Sequence, residues 1–208
     1  MEAALCPAAE WVSRYAPKVG SSSQQTSIDV IASTLEPVMP AVGRLSSPDG
    51  AITLMLSDIA GADAMAGELG PERWERLLRD HHSLVEQLVA HHDGQVVKFE
   101  QDGFLASFSS AHAGLHAAVE LQRTFADAPL RIGLHSGFLI TSSDQLLGRN
   151  VVLAARIAAM AEASAILVSS ALKEYTETDP TFAFETLGEF RFKGLLGDHV
   201  VYSVRLPG

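Results

Sequence analysis

Cysteine occurs once in the 208 residues, as Cys6, which excludes an internal disulfide and any zinc-ribbon arrangement, since each needs a second thiol. Basic residues are also scarce: 15 Lys and Arg stand against 25 Asp and Glu, for a formal net charge of −10. That balance argues against a broad contact with a nucleic-acid backbone but leaves room for a local cationic pocket. No apolar run approaches the roughly 20 residues that cross a bilayer, and the N-terminus carries no basic stretch followed by an apolar one. The expectation is a cytoplasmic protein with no membrane and no nucleic-acid partner. No internal repeat is visible.

What is present reads as globular: 47% of residues are hydrophobic and 19% charged. The length fits one ordinary domain plus an appendage. Composition shifts near Ser46, where Ser-Ser-Pro-Asp-Gly precedes the apolar run Ala51 to Leu56, so the domain is placed at 51–208 and an N-terminal linker at 1–50. Within the linker, Thr26-Ser27-Ile28-Asp29 resembles a capping box opening a short helix with Ile28, Ile31, Ala32 and Leu35 on one face. Pro37 and Pro40 stop it. A linker helix packed on the domain and a regulatory or dimer-forming segment are the two readings.

From Ala51 onward strand and helix signals alternate. Ile52 to Leu56 is a buried strand ending at Ser57-Asp58. Pro71 takes a first helical position, and Trp74, Leu77, Leu78, His81, Leu84, Val85 and Leu88 recur at helical steps. Gln95 to Lys98 and Gly103 to Phe108 form a hairpin around Glu100 to Asp102. A helix over about Ala111 to Phe125, a strand at Leu130 to His135 and a helix from near Arg149 through Ala161 follow. Ile166 to Val168, a short helix from Ser169, and strands near Phe182 to Phe192 and Val200 to Val204 complete an α/β (α+β) chain.

Asp58 ends a buried strand just before Ala60-Gly61-Ala62, whose small side chains let backbone N–H groups approach a phosphate. Asp102 sits at a hairpin tip. Side by side, two such carboxylates make an oxygen-ligand site for Mg²⁺ or Mn²⁺. On spacing alone the simpler reading is that Asp58 caps a turn and Asp102 is an ordinary hairpin acid. His81-His82 and His91-His92 flank one helix with no metal-ligand spacing around them and read as surface or packing histidines.

Four segments stand in one order and spacing: Leu-Ser-Asp58-Ile-Ala-Gly, Lys98-Phe-Glu-Gln-Asp102-Gly-Phe-Leu, Arg131-Ile-Gly-Leu-His-Ser-Gly, and Leu147-Gly-Arg-Asn-Val-Val-Leu-Ala-Ala-Arg156-Ile. With Phe192-Lys-Gly-Leu and the strand through Tyr202, the chain from 51 to 205 resembles the class III nucleotide cyclases. The resemblance implies a homodimer of ferredoxin-like domains, with a mostly antiparallel mixed sheet flanked by helices and active sites between subunits. It implies two Mg²⁺ or Mn²⁺ ions per site, held by Asp58, Asp102 and the backbone carbonyl of Ile59. The metals would activate the ribose 3′-hydroxyl and neutralise the triphosphate as pyrophosphate leaves. Gly61 and Ala62 would lie on the phosphates. Lys98, reading the purine, and Arg156, stabilising charge on the α-phosphoryl, would come from the partner subunit.

The chain departs from the family pattern at several positions. Val152 stands where an asparagine usually bonds the ribose, one turn before Arg156, and valine offers no hydrogen bond. Gln145, with Asp144 beside it, stands at the second base-reading position. Gln101 replaces the glycine that usually precedes the second metal aspartate. Lys193 lies near the triphosphate-lysine position, with Leu195 in strict register. The resulting expectation is a cyclase acting on ATP, because Lys98 is present, with slow turnover. The alternatives are a weak or inactive homologue that binds nucleotide or dimerises as a regulatory module, and a cyclase acting on GTP or a pyrimidine triphosphate.

Overall fold

The computed structural model describes residues 26–33, 50–138 and 144–205, without the side chains of 32–33 and 144–147. In chain order the elements are α1 (Ser27–Ser33), β1 (Ala51–Ile59), α2 (Ala62–Leu69), α3 (Pro71–His91), β2 (Gly94–Glu100), β3 (Gly103–Phe108), α4 (Ala111–Thr124), β4 (Leu130–Phe138), α5 (Asp144–Ala159), β5 (Ile166–Ser169), α6 (Ser170–Thr176), β6 (Ala183–Phe190) and β7 (His199–Arg205). Seven strands form one sheet in the order β2-β3-β1-β4-β5-β7-β6. Only β4 and β5 pair in parallel; every other neighbouring pair is antiparallel.

β1 lies inside the sheet between β3 and β4 and is buried on both faces, in keeping with six apolar residues among its nine. Met55 and Ile59 join Phe104, Ala106 and Phe108 of β3 and the helices α3 and α4 on one side. Ile52, Leu54 and Leu56 face the other way, with Leu105, under α1 and α5. Strand alternation places Asp58 on this second face. Gly133 lets α5 lie against β4: a Cβ there would meet the Ala158 backbone nitrogen at 2.2 Å. Ile28 and Ile31 of α1 are fully buried in the same cluster as Leu54, Leu105, Val151 and Ala154.

The sequence-based boundaries shift at several places, β4 for one running to Phe138 rather than His135. β1 continues through Asp58 to Ile59, because Ser57 and Asp58 still pair with Ile132 and Arg131 of β4. α2 was not expected: it has no buried residue and only a weak apolar stripe, so it lacks the signal by which the other helices are read. α5 begins at Asp144 rather than near Arg149, ahead of the apolar repeat that starts at Val151. Leu35 lies outside the described residues. Among the described residues, no helix is long and apolar enough to cross a membrane.

Candidate active site

Asp58 comes from β1 one residue before the strand ends, and is 1% exposed. The antiparallel register sets it opposite Arg131 of β4. Arg131 clamps it with a two-toothed fork: Nε donates to Oδ1 at 2.8 Å, and Nη2 donates to Oδ2. Asp102 comes from the tip between β2 and β3 and is likewise buried. Gly103 makes the approach of the two acids feasible, since a Cβ there would lie 3.0 Å from the Ser57 carbonyl oxygen and 2.8 Å from the Ser27 Cβ. Gln101, at the tip, has φ of 52°, a left-handed conformation that favours glycine. His82 secures this strained residue from α3: its Nε2 lies 2.9 Å from the Gln101 carbonyl oxygen, and its ring stacks on Phe99.

Both acids line one pocket of about 370 Å³ with Thr26, Ser27, Ile59, Gly61, Ala62, Asp63, Gln101 and Arg131. Gly61, at φ 75°, starts α2 without a side-chain cap, and nothing lies within 4 Å of where its Cβ would be. The first turn of α2 therefore brings uncapped N–H groups to the pocket wall, an arrangement that suits an anion.

Burial pushes the Asp58 carboxyl up to about 6; Arg131 opposes the shift, and the neighbouring charges of Asp102 and Asp29 add to it. Two buried carboxylates that repel one another are stabilised by added positive charge. The donors are hard oxygens, which fits Mg²⁺ or Mn²⁺. Among the described residues no three His, Cys, Asp or Glu side chains converge on a metal position. A cation here would take the two carboxylates and the Ile59 carbonyl, and complete its shell with phosphate or water oxygens.

The other sequence-derived residues do not line this pocket. Lys98, on β2, lies 3.2 Å from Glu100. Arg156, on α5, pairs with Asp29 of α1 at 3.6 Å, and its buried Nε has no partner among the described residues. Val152 is half-buried on α5. Asn150, two residues earlier, does not replace the missing ribose asparagine, because its amide is turned to β4: Oδ1 lies 3.3 Å from His135 Nε2, and Nδ2 donates to the Phe138 carbonyl at 3.3 Å. Asp144 and Gln145 open α5, with side chains outside the described residues. Lys193 is exposed in the loop after β6, whereas Leu195 packs with Leu153 and Ile157. Another depression, of about 390 Å³ between α3 and Phe125, is lined by Arg73, Arg76, Asp80 and His81 and holds no acid pair.

Three contacts at the site escaped sequence reasoning: Arg131 on Asp58, Ser27 Oγ donating to Asp102 Oδ1, and Asp29 on Arg156. Arg131 was legible in principle, as the cross-strand neighbour of Asp58 once β1 and β4 are aligned. The α1 contacts carry no comparable signal, since Ser27 and Asp102 are 75 residues apart.

The family model for the adenylate and guanylate cyclase catalytic domain matches residues 45–205. A Rhizobium meliloti protein named as a candidate adenylate cyclase is 30% identical over 155 residues, covering 67% of this chain and 26% of that protein. An uncharacterised Mycobacterium tuberculosis protein is 30% identical over 133 residues, covering 62% of this chain and 46% of the relative. The chain thus spans about a quarter to a half of the length of these curated relatives. Among solved structures, the adenylyl cyclase CyaB from P. aeruginosa superposes with a TM-score of 0.68 at 20% identity, covering 76% of this chain and 95% of that one. An adenylate/guanylate cyclase/hydrolase from Silicibacter pomeroyi gives 0.63 at 27% identity, covering 76% and 96%.

Proposed function

The chain belongs to the adenylate and guanylate cyclase catalytic domain family, and from that premise we propose that it cyclises a nucleoside triphosphate, ATP in first place, to the 3′,5′-cyclic monophosphate and pyrophosphate. The observation that carries the proposal is the convergence of Asp58 and Asp102, from two separate elements, on one pocket beside the uncapped start of α2. Asp58, Asp102 and the Ile59 carbonyl would hold two Mg²⁺ or Mn²⁺ ions, which when bound activate the ribose hydroxyl and neutralise the phosphates. Gly61, Ala62 and the first turn of α2 take the triphosphate oxygens. Arg156 stabilises charge on the α-phosphoryl, and Lys98 reads the base.

Lys98 and Arg156 lie outside the pocket of their own chain, which supports their serving a second copy, in a homodimer with shared sites. Val152 gives the ribose no hydrogen bond. Loss of one orienting group costs on the order of a hundredfold in rate, so turnover is slow. The same valine is the observation that favours the second reading, a relative that binds nucleotide without turning it over.

The test is to incubate the full chain with ATP, GTP, CTP or UTP and Mn²⁺ or Mg²⁺, then identify products by mass. Cyclic AMP with Mn²⁺ is the expected product. A triphosphate that binds while none is cyclised selects the second reading, and a cyclic product only from another base reassigns the substrate. Asp58→Ala should abolish turnover and leave the folded chain intact by circular dichroism; turnover that survives removes the metal assignment.

A further inference from the structure

α1 covers the same face of the sheet as the paired acids, and its polar contacts there engage groups that the cyclase reading needs. Ser27 Oγ donates to the carboxylate of Asp102. Asp29 pairs with Arg156 and adds negative potential at Asp58. Thr26 and Ser27 form part of the pocket wall. Between these polar ties, Ile28 and Ile31 are fully buried in a groove made by Leu54, Leu56, Leu105, Val151 and Ala155. The helix packs on β1, β2, β3 and α5 together, so it bridges the hairpin that carries Asp102 and the helix that carries Arg156.

From this we propose that α1 is an intramolecular plug: docked, it holds the chain in a resting form, and it must lift from the face for metal-triphosphate and a second copy of the chain to engage. The inference rests on the cyclase reading, because that reading assigns Asp102 to metal and Arg156 to the partner's substrate. The contacts compete with those roles. The Ser27 hydroxyl occupies one Asp102 lone pair and, with Thr26, walls the space beside it that a metal-triphosphate would fill, and an arginine paired with Asp29 of its own chain is drawn away from a phosphoryl group elsewhere.

The physics of α1 suits a displaceable element. Its seven residues are too few for an isolated helix to persist in water, so away from the groove it unwinds. Docking gains the burial of two isoleucines and a half capping box, in which the Asp29 N–H donates to Thr26 Oγ1 at 3.3 Å and the Thr26 hydroxyl donates to Asp29 Oδ2 at 3.0 Å. Against this stands the entropy of ordering seven residues, which offsets much of the gain, so the docked form is favoured by only a few kcal/mol. A ligand that binds only the open state shifts such an equilibrium readily.

Hydrogen exchange of the full-length chain, read by mass spectrometry at residues 28–33, tests this. The probe is Mn²⁺ with adenosine 5′-(α,β-methylene)triphosphate, which cannot be cyclised. The α1 amides should be protected without the probe and exchange at least tenfold faster with it, while β1 and β4 stay protected. Ser27→Ala with Asp29→Ala removes the polar ties without touching the core, and should raise probe affinity about tenfold, the worth of two modest polar contacts. Ile31→Glu should do the same more strongly if the domain stays folded. Probe binding with the α1 amides as protected as before, or with the double variant no tighter than wild type, overturns the plug and leaves the cyclase reading standing. Binding to neither the wild type nor the variants overturns both.

Discussion

His81 lies inside the core with both ring nitrogens lacking a partner among the described residues, and its ring centroid is 4.8 Å from that of Phe125 and 6.3 Å from that of Phe104. Burial, reinforced by the nearby His82, lowers it from its ordinary 6.5 to about 4. A histidine depressed in the folded state contributes fully to stability above its unfolded value, and that contribution is lost as pH falls through the window from 6.5 to 4. The shift corresponds to about 3 kcal/mol across the window. His135 is also lowered to about 4 by burial, and adds to the same acid limb. Asp58 acts in the opposite sense: raised from 3.8 to about 6, it costs stability as pH rises across that window, and the cost is relieved as pH falls back through it. The His81 share is therefore isolated by His81→Leu against wild type. Urea midpoints should show the variant about 1 kcal/mol more stable at pH 7.5, where it no longer buries unpaired nitrogens. The advantage should grow by about 3 kcal/mol toward pH 4. A difference between the two proteins that stays constant with pH would mean that His81 does not titrate in this window.

At the scale of elements, the β2–β3 hairpin brings the second acid to the first, and Gly103 governs that approach. In Gly103→Ala the added methyl meets Ser27 Cβ, which can retreat with α1, and the Ser57 carbonyl, which β1 holds in place. We expect a loss of about 1–3 kcal/mol in unfolding free energy and, through displacement of Asp102, roughly a hundredfold drop in kcat. Activity within a few-fold of wild type would show that the hairpin has slack. The strands and the long amphipathic helices of this framework were legible because burial on one or two faces leaves a period in the sequence: the apolar run of β1, the three- and four-residue steps of α3, the alanines of α5. α2 left none, because it buries no residue. The acid pair was legible only through its flanking motifs, since Asp58 and Asp102 by themselves read as turn residues. The Arg131 clamp depends on the β1–β4 register, which the folded sheet supplies, and the Ser27 and Asp29 contacts join side chains far apart in sequence with no repeating pattern between them.

For the whole molecule, the decisive question is whether one site draws on two chains. Asp58 and Asp102 meet in a single copy, whereas Arg156 and Lys98 lie outside that pocket. If the shared-site arrangement holds, Asp58→Ala kills the metal half of a site and Arg156→Ala kills the other half, so each homodimer is inactive. A heterodimer of the two variants then carries one site with both lesions and one with none. Random pairing at equal expression makes about half of the dimers mixed, each with one of its two sites intact, so about a quarter of wild-type activity returns. The chains each carry a net charge of −10 and repel one another, and at near-physiological ionic strength the Debye length of about 8 Å screens much of that repulsion. Recovered activity should accordingly be higher at about 0.15 M salt than at 0.01 M, with sedimentation equilibrium reporting the matching change in dimer fraction. If mixing gives no activity although heterodimers are detected by mass, each site is built within one chain, and the assignment of Arg156 to the partner's substrate falls.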